Sequence, residues 1–163
     1  MKKKLTVILI LILSSMMLFA SSFDKESAKQ QALADAGLKK GDVKWLHASI
    51  ERDDGWKFYE VSFTHAEYEY EYEFTENGEM LSKSYELRKR PKQDKNATIM
   101  DTSKAEEIVR KITGRNDIRL HRDIDDGITT YDAEVFTDNA IYDIEFDAVS
   151  GLILSISIEY RLN

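Results

Sequence analysis

The sequence predicts an α+β protein made of two tandem units, each one helix packed on a three- to four-stranded antiparallel sheet. Three observations lead there. Tyr68-Glu69-Tyr70-Glu71-Tyr72-Glu73-Phe74 alternates aromatic and acidic side chains at a period of two, which puts one set on each face of a β-strand. A similar arrangement returns near the C-terminus, in Tyr131–Leu154. Each β-rich stretch follows a run of helix formers that stops at a glycine, Gly37 or Gly114.

Composition bounds the possibilities before any element is placed. The 163 residues are 42% hydrophobic and 33% charged, the balance of a folded globule and not of a disordered chain. The absence of cysteine excludes disulfides, thiolate metal sites and a cysteine nucleophile. Residues 1–22 carry the marks of a secretory signal peptide: Lys2-Lys3-Lys4, the apolar run Leu5–Leu13, then the small and methionine-rich tail Ser14–Ser22. The apolar run is short for a membrane span, which takes about 20 residues. Cleavage after Ala20 or Ser22 would leave no stable membrane anchor and a secreted or periplasmic protein of the cell envelope. Losing the three lysines leaves 20 basic against 30 acidic side chains, a net charge of −10. Such a protein is not expected to bind nucleic acid or anionic lipid surfaces.

Repeat 1 is placed at residues 23–88. Asp24 is a candidate N-cap for a helix over Glu26–Ala36, whose apolar stripe (Ala28, Ala32, Leu33, Ala36) is narrow and suits packing on a flat sheet. Val43, Trp45 and Ile50 read as the apolar set of a first strand. Asp53-Asp54-Gly55 is a hairpin turn, followed by Trp56–Phe63, where Tyr59, Val61 and Phe63 share one parity. Tyr68–Phe74 comes next, and Asn77-Gly78 turns the chain into a last strand, Met80–Leu87.

Residues 89–100 form a basic linker without hydrophobic period, holding the chain's single proline, Pro91. Its charges read as a solvated joint or as counter-charge to acidic sheet faces. Repeat 2 occupies residues 101–163. Asp101 or Ser103 can cap a helix, the latter in a capping box with Glu106, and Ala105, Ile108, Val109 and Ile112 line one helical face. Ile118, Leu120 and Ile124 suggest a first strand, and Asp125-Asp126-Gly127 a turn. Tyr131, Ala133 and Val135 form an inward set, Tyr142, Ile144 and Phe146 another, and Leu152 to Tyr160 alternate after Gly151. The marks keep their order between halves, as in a tandem duplication. Each unit of about 60 residues is small for independent folding, so contact between the two is expected.

Two sets of residues resemble a known family. They are Ala28 to Leu38, Asp53-Asp54-Gly55, Tyr59-Glu60-Val61, Tyr68 to Tyr72 and Gly78-Glu79-Met80-Leu81 in the first half, with Ala105 to Gly114, Asp125-Asp126-Gly127, Tyr131 to Val135, Tyr142 to Ala148 and Ser150-Gly151 in the second. Together they look like two tandem PepSY domains covering nearly the whole mature chain. The resemblance implies a secreted or envelope-associated module, similar in build to β-lactamase-inhibitor-like proteins, that restrains or inhibits proteases and brings no catalytic residues.

The residues themselves offer two candidate binding sets. Glu69, Glu71 and Glu73 could meet a basic protein surface or a cation, and otherwise form the solvated face of a strand. Consecutive outward residues on one strand lie about 7 Å apart, too far to share a calcium ion without help from neighbouring strands. Tyr68, Tyr70 and Tyr72 could stack on a partner, and otherwise pack toward the helix with Phe74. His47, His65 and His121 show no metal spacing, no nucleophile motif is present, and no cofactor is implied. The expectation is a non-enzymatic protein that binds an extracytoplasmic protease or wall enzyme. Alternatives are a calcium- or cation-responsive envelope sensor and a purely structural envelope module.

Overall fold

In the computed structural model, residues 23–53, 55–94, 96–125 and 127–162 are described. The leader read at residues 1–22 lies outside them, as do Asp54 and Asp126 of the two Asp-Asp-Gly turns. The elements follow in the order α1 (Lys25–Asp35), β1 (Lys44–Asp53), β2 (Trp56–His65), β3 (Tyr68–Thr75), β4 (Met80–Leu87), α2 (Thr102–Thr113), β5 (Arg119–Asp125), β6 (Ile128–Phe136), β7 (Ala140–Asp147) and β8 (Ile153–Tyr160).

The two-unit architecture expected from the repeat is not what forms. All eight strands belong to one antiparallel sheet, ordered β1-β2-β3-β4-β8-β7-β6-β5. The joint is β4 against β8, where Ser82 pairs with Glu159, Ser84 with Ser157 and Glu86 with Ser155. The physical reason lies in the edges. Two separate four-stranded sheets would expose four rows of unpaired backbone groups, and joining them removes two. Among the described residues only β1 and β5 remain as edges.

Register settles which side chains share a face. One row crosses the sheet from Phe63 through Tyr70, Tyr85, Ile156, Ile144 and Ala133 to Leu120, and the next from Ala48 through Val61, Tyr72, Lys83, Ile158 and Tyr142 to Val135. These rows carry the core. Ala28, Ala32 and Leu33 of α1 pack on Tyr59, Val61, Phe63, Tyr72 and Phe74. Ala105 and Val109 of α2 pack on Tyr131, Val135, Ile144, Phe146 and Ile158. Both helices therefore lie on the same face. Fully burying a side chain such as Phe74 or Phe146 stabilises the fold by roughly 1.5–3 kcal/mol.

Both helices begin on an aspartate whose carboxylate accepts the orphan N–H three residues on: Asp24 from Ser27, at 2.8 Å, and Asp101 from Lys104, at 3.0 Å. Of the two candidate caps for α2, Asp101 fills the position and Ser103 lies inside the helix. In β1 the alternation breaks. A bulge between Lys44 and His47 places Trp45 at φ 58 and leaves it 82% exposed, while Leu46 packs against the core. Trp45 thus belongs to the surface and not to an inward strand set. Ile124, expected inward in the first strand of the second half, is likewise 70% exposed.

Candidate functional site

The face opposite the helices is covered by no helix among the described residues. Its central row runs from His47 through Ser62, Glu71, Ser84, Ser157, Asp143 and Glu134 to Arg119. A parallel row runs from Thr64 through Glu69, Glu86, Ser155, Glu145 and Asp132 to His121. A third joins Ser49, Glu60, Glu73, Ser82, Glu159 and Ile141. The pattern is a strip of small serines along β4 and β8, flanked on both sides by carboxylates. Strand alternation produces it directly, because each inward aromatic or aliphatic residue is followed by one outward polar residue.

The carboxylates crowd one another. Partial burial raises the Glu71 carboxyl above its usual range, and the negative charges of Glu60, Glu69, Glu73 and Glu86 raise it further. Asp143 is raised by burial and by Glu134 and Glu159, and Asp132 by burial and by Asp123. Among the described residues no lysine or arginine pairs with Glu60, Glu69, Glu71 or Glu159. Arg119 meets Glu134 at 3.2 Å at an exposed position, where an ion pair contributes little. A cation brought by a partner would relieve this repulsion.

One cation of the chain already does so. Arg90, from the basic segment between β4 and α2, forks onto Glu145 with bonds of 2.8 and 2.7 Å. Close by, Gln93 Nε2 donates to the Asp147 carboxylate at 2.8 Å, and Gln93 Oε1 accepts from the Thr129 amide at 2.8 Å. The segment is therefore counter-charge laid on the sheet at these positions, and not a solvated joint there.

The six predicted site residues separate between the two faces. Glu69, Glu71 and Glu73 are on the open face. Tyr68, Tyr70 and Tyr72 are on the helix-bearing face, so the alternating stretch does not form one site. Tyr72 is buried, donates to Asp35 Oδ2 at 3.1 Å and is pushed well above the ordinary tyrosine value, first by burial and then by Asp35. Asp35 also holds Lys83 at 2.8 Å, which explains how a lysine can stand on the apolar face where the second half has Ile156. Tyr70 stacks on Phe63 at 4.9 Å, and Tyr68 donates to the Ile153 carbonyl at 2.8 Å, tying β3 to β8. Of the three, Tyr68 ties the two halves together, while Tyr70 and Tyr72 hold the first half's own core.

Other chemistry finds little support. No group of three or more His, Asp and Glu side chains among the described residues is placed to hold a metal ion. Ser155 and His121 share a row but stand three strand spacings apart, about 14 Å, far beyond nucleophile-to-base reach.

Sequence reasoning missed the apolar end of the open face. Trp56, Phe58 and Leu81, with Leu162, line a groove beside the turn after β3. Trp56 is 80% exposed. The signal was parity: Trp56 and Phe58 share it with Glu60, not with the inward Tyr59.

No protein-family profile matches the chain, and no curated protein does. Among solved structures, a candidate lipoprotein from Clostridium difficile 630 aligns over 82% of this chain and 91% of its own at 23% identity, with a TM-score of 0.35. A BLIP-like protein from Bacteroides fragilis NCTC 9343 aligns over 88% of this chain and 93% of its own at 15% identity, with a TM-score of 0.30. Similarity at this level says nothing of what the chain binds.

Proposed function

We propose that the protein is a non-catalytic, extracytoplasmic binding protein of the PepSY type that docks another protein on the open face of its sheet. The observation that carries this reading is the uncovered face itself, with its serine strip and crowded carboxylates. Small residues along the centre let a partner's backbone or side chains approach closely. The flanking carboxylates select a partner whose surface is basic and steer its approach. The resemblance to PepSY domains adds the expectation that the partner is a secreted protease or a wall enzyme and that docking restrains it. The described residues contain no helix long and apolar enough to cross a membrane.

A photo-crosslinking amino acid placed at Ser157, in the centre of the open face, tests this in the producing cell. Placed at Lys104, on exposed α2, the same group serves as the control. A discrete adduct to one protein from Ser157 and none from Lys104 is the expected result. Equal labelling from both positions, or none from Ser157, would overturn the reading. Purified protein added to a panel of secreted proteases tests the restraint; no loss of activity in any of them would remove that part.

A further inference from the structure

The two halves repeat each other in register yet differ in what lies on the open face. The last two strands of each half meet at a bulge after a glutamate, Glu73 in one and Glu145 in the other, and each glutamate faces a serine, Ser82 or Ser155. Thr75 corresponds to Asp147, and Phe58 to Thr130; each pair sits side by side on neighbouring strands. Even the turn bonds correspond. Thr75 Oγ1 accepts from the Asn77 and Glu79 amides as Asp147 Oδ1 accepts from those of Val149 and Ser150.

On the C-terminal half the chain's own segment lies across these positions. Arg90 forks Glu145, and Gln93 bonds both Asp147 and the Thr129 backbone. Glu145 and Asp147 are about 7 Å apart along the strand, a span that the extended step from Arg90 to Gln93 covers. Beneath it, Thr130 is 1% and Asp147 3% exposed. On the N-terminal half the same positions form the groove of Trp56, Phe58, Thr75, Leu81 and Leu162, and Phe58 and Thr75 are only half-buried.

We infer that the N-terminal groove takes an extended, arginine-bearing segment of a partner protein, seated as the chain's own Arg90–Gln93 segment is seated on the other half. This inference rests on the open face being the protein-docking surface and names the kind of segment it accepts. Charge complementarity commits the groove to a basic occupant: Glu76, paired with Lys57, and Glu79 line it, and Glu60, Glu71, Glu73 and Glu159 line the adjoining depression that meets it at Leu81. Glu73 has Ser82 Oγ as a hydrogen-bond donor, at 2.7 Å, and a free lone pair remains for a guanidinium. The fork that Arg90 makes favours arginine over lysine. Trp56 and Phe58 supply aromatic faces on which a guanidinium or an apolar neighbour can stack, and an exposed tryptophan at the rim of a polar surface is the usual anchor of such contacts.

The test uses the purified protein and a synthetic peptide of this chain's own sequence from Arg88 to Asn96. Its two tryptophan indole N–H resonances, assigned with Trp56→Phe, give a built-in control. Saturable movement of the Trp56 signal with Trp45 unmoved is the expected result, weakening about tenfold with Glu73→Gln or with the peptide arginine at position 90 replaced by glutamine. Unchanged melting of Glu73→Gln keeps the comparison clean. Movement of neither indole, or binding insensitive to Glu73→Gln, would overturn the inference. If the Ser157 adduct still forms while the peptide neither binds nor competes with it, the docking face stands and the arginine segment does not. If the peptide binds at Trp56 but no Ser157 adduct forms in cells, the groove stands and the protein-docking reading fails.

Discussion

Asp147 offers the most direct measure of how the segment before α2 is tied to the sheet. The residue is 3% exposed. It accepts from the Val149 and Ser150 amides, from the Ser150 hydroxyl at 2.7 Å and from Gln93 at 2.8 Å. Burial alone would raise its pKa, but these bonds outweigh burial and hold it below the ordinary 3.8. Hydrogen bonds to a charged group contribute about 1.5–3 kcal/mol, and a buried donor left unpaired costs about 1–3 kcal/mol. Asp147→Ala removes the acceptor for several donors at once, so a loss of about 3–4 kcal/mol is expected. For a protein of this size that corresponds to a fall in Tm of roughly 10 °C. Asp147→Asn keeps an acceptor for the turn amides but sets an amide N–H₂ against Gln93 Nε2, and should cost about half as much. Denaturant unfolding of both single variants, Gln93→Ala and the double variants gives the coupling directly. The pH dependence follows from the depressed folded value: the contribution is present above the unfolded pKa near 3.8 and is lost as pH falls through the folded one. Stability attributable to Asp147 should therefore be flat from neutrality to about pH 5 and decline below pH 4. An Asp147→Ala variant within about 1 kcal/mol of the parent, with no coupling to Gln93, would refute the reasoning.

Three further outcomes are expected. Tyr85 is pushed up to about 12 by burial and by Tyr70 and Tyr68, and Tyr72 is raised further; absorbance titration should show both silent at pH 11. Stability from these groups is full below about pH 10, and is lost as pH climbs through their folded values; two normal tyrosinates at pH 11 in the folded protein would contradict this. Gly78→Ala meets φ +85 and the Phe23 ring 2.7 Å from the new Cβ, whereas Gly55→Ala meets φ +85 with nothing within 4 Å. The left-handed conformation alone costs about 1–2 kcal/mol, so thermal melts should show Gly78→Ala as the more damaging; equal losses would mean that Phe23 moves aside. Ser84→Lys, beside Ser157 at the middle of the acidic face, should change stability by less than about 0.5 kcal/mol while abolishing the cross-link formed from position 157, and a retained cross-link would count against the docking face.

Parts of the candidate site were legible in the alternation of β3. Period two separates Glu69, Glu71 and Glu73 from Tyr68, Tyr70 and Tyr72 whatever the tertiary arrangement, and the structure places them on opposite faces. The same reasoning reaches Trp56 and Phe58, because their parity is that of Glu60. Arg90 and Gln93 were not readable as sheet ligands, since no periodicity relates a segment without regular structure to the strand it crosses. Lys83 was visible only as a departure from the repeat, and its partner Asp35 lies on another element.

Local order was determined by the sequence alone. Alternation, capping aspartates and turn glycines act over a few residues, so the succession of one helix and three to four strands, twice over, follows from them without knowledge of the fold. How the two sets of strands combine was a tertiary decision. The amides and carbonyls of β4 and β8 are the same in any sequence pattern, and nothing in a strand's side chains states whether its outer edge meets water or another strand. Pairing Ser82–Glu86 with Ser155–Glu159 satisfies both edges and turns two expected sheets into one. The same pairing brings the serines and carboxylates of both halves onto one continuous face, which neither half could have formed by itself.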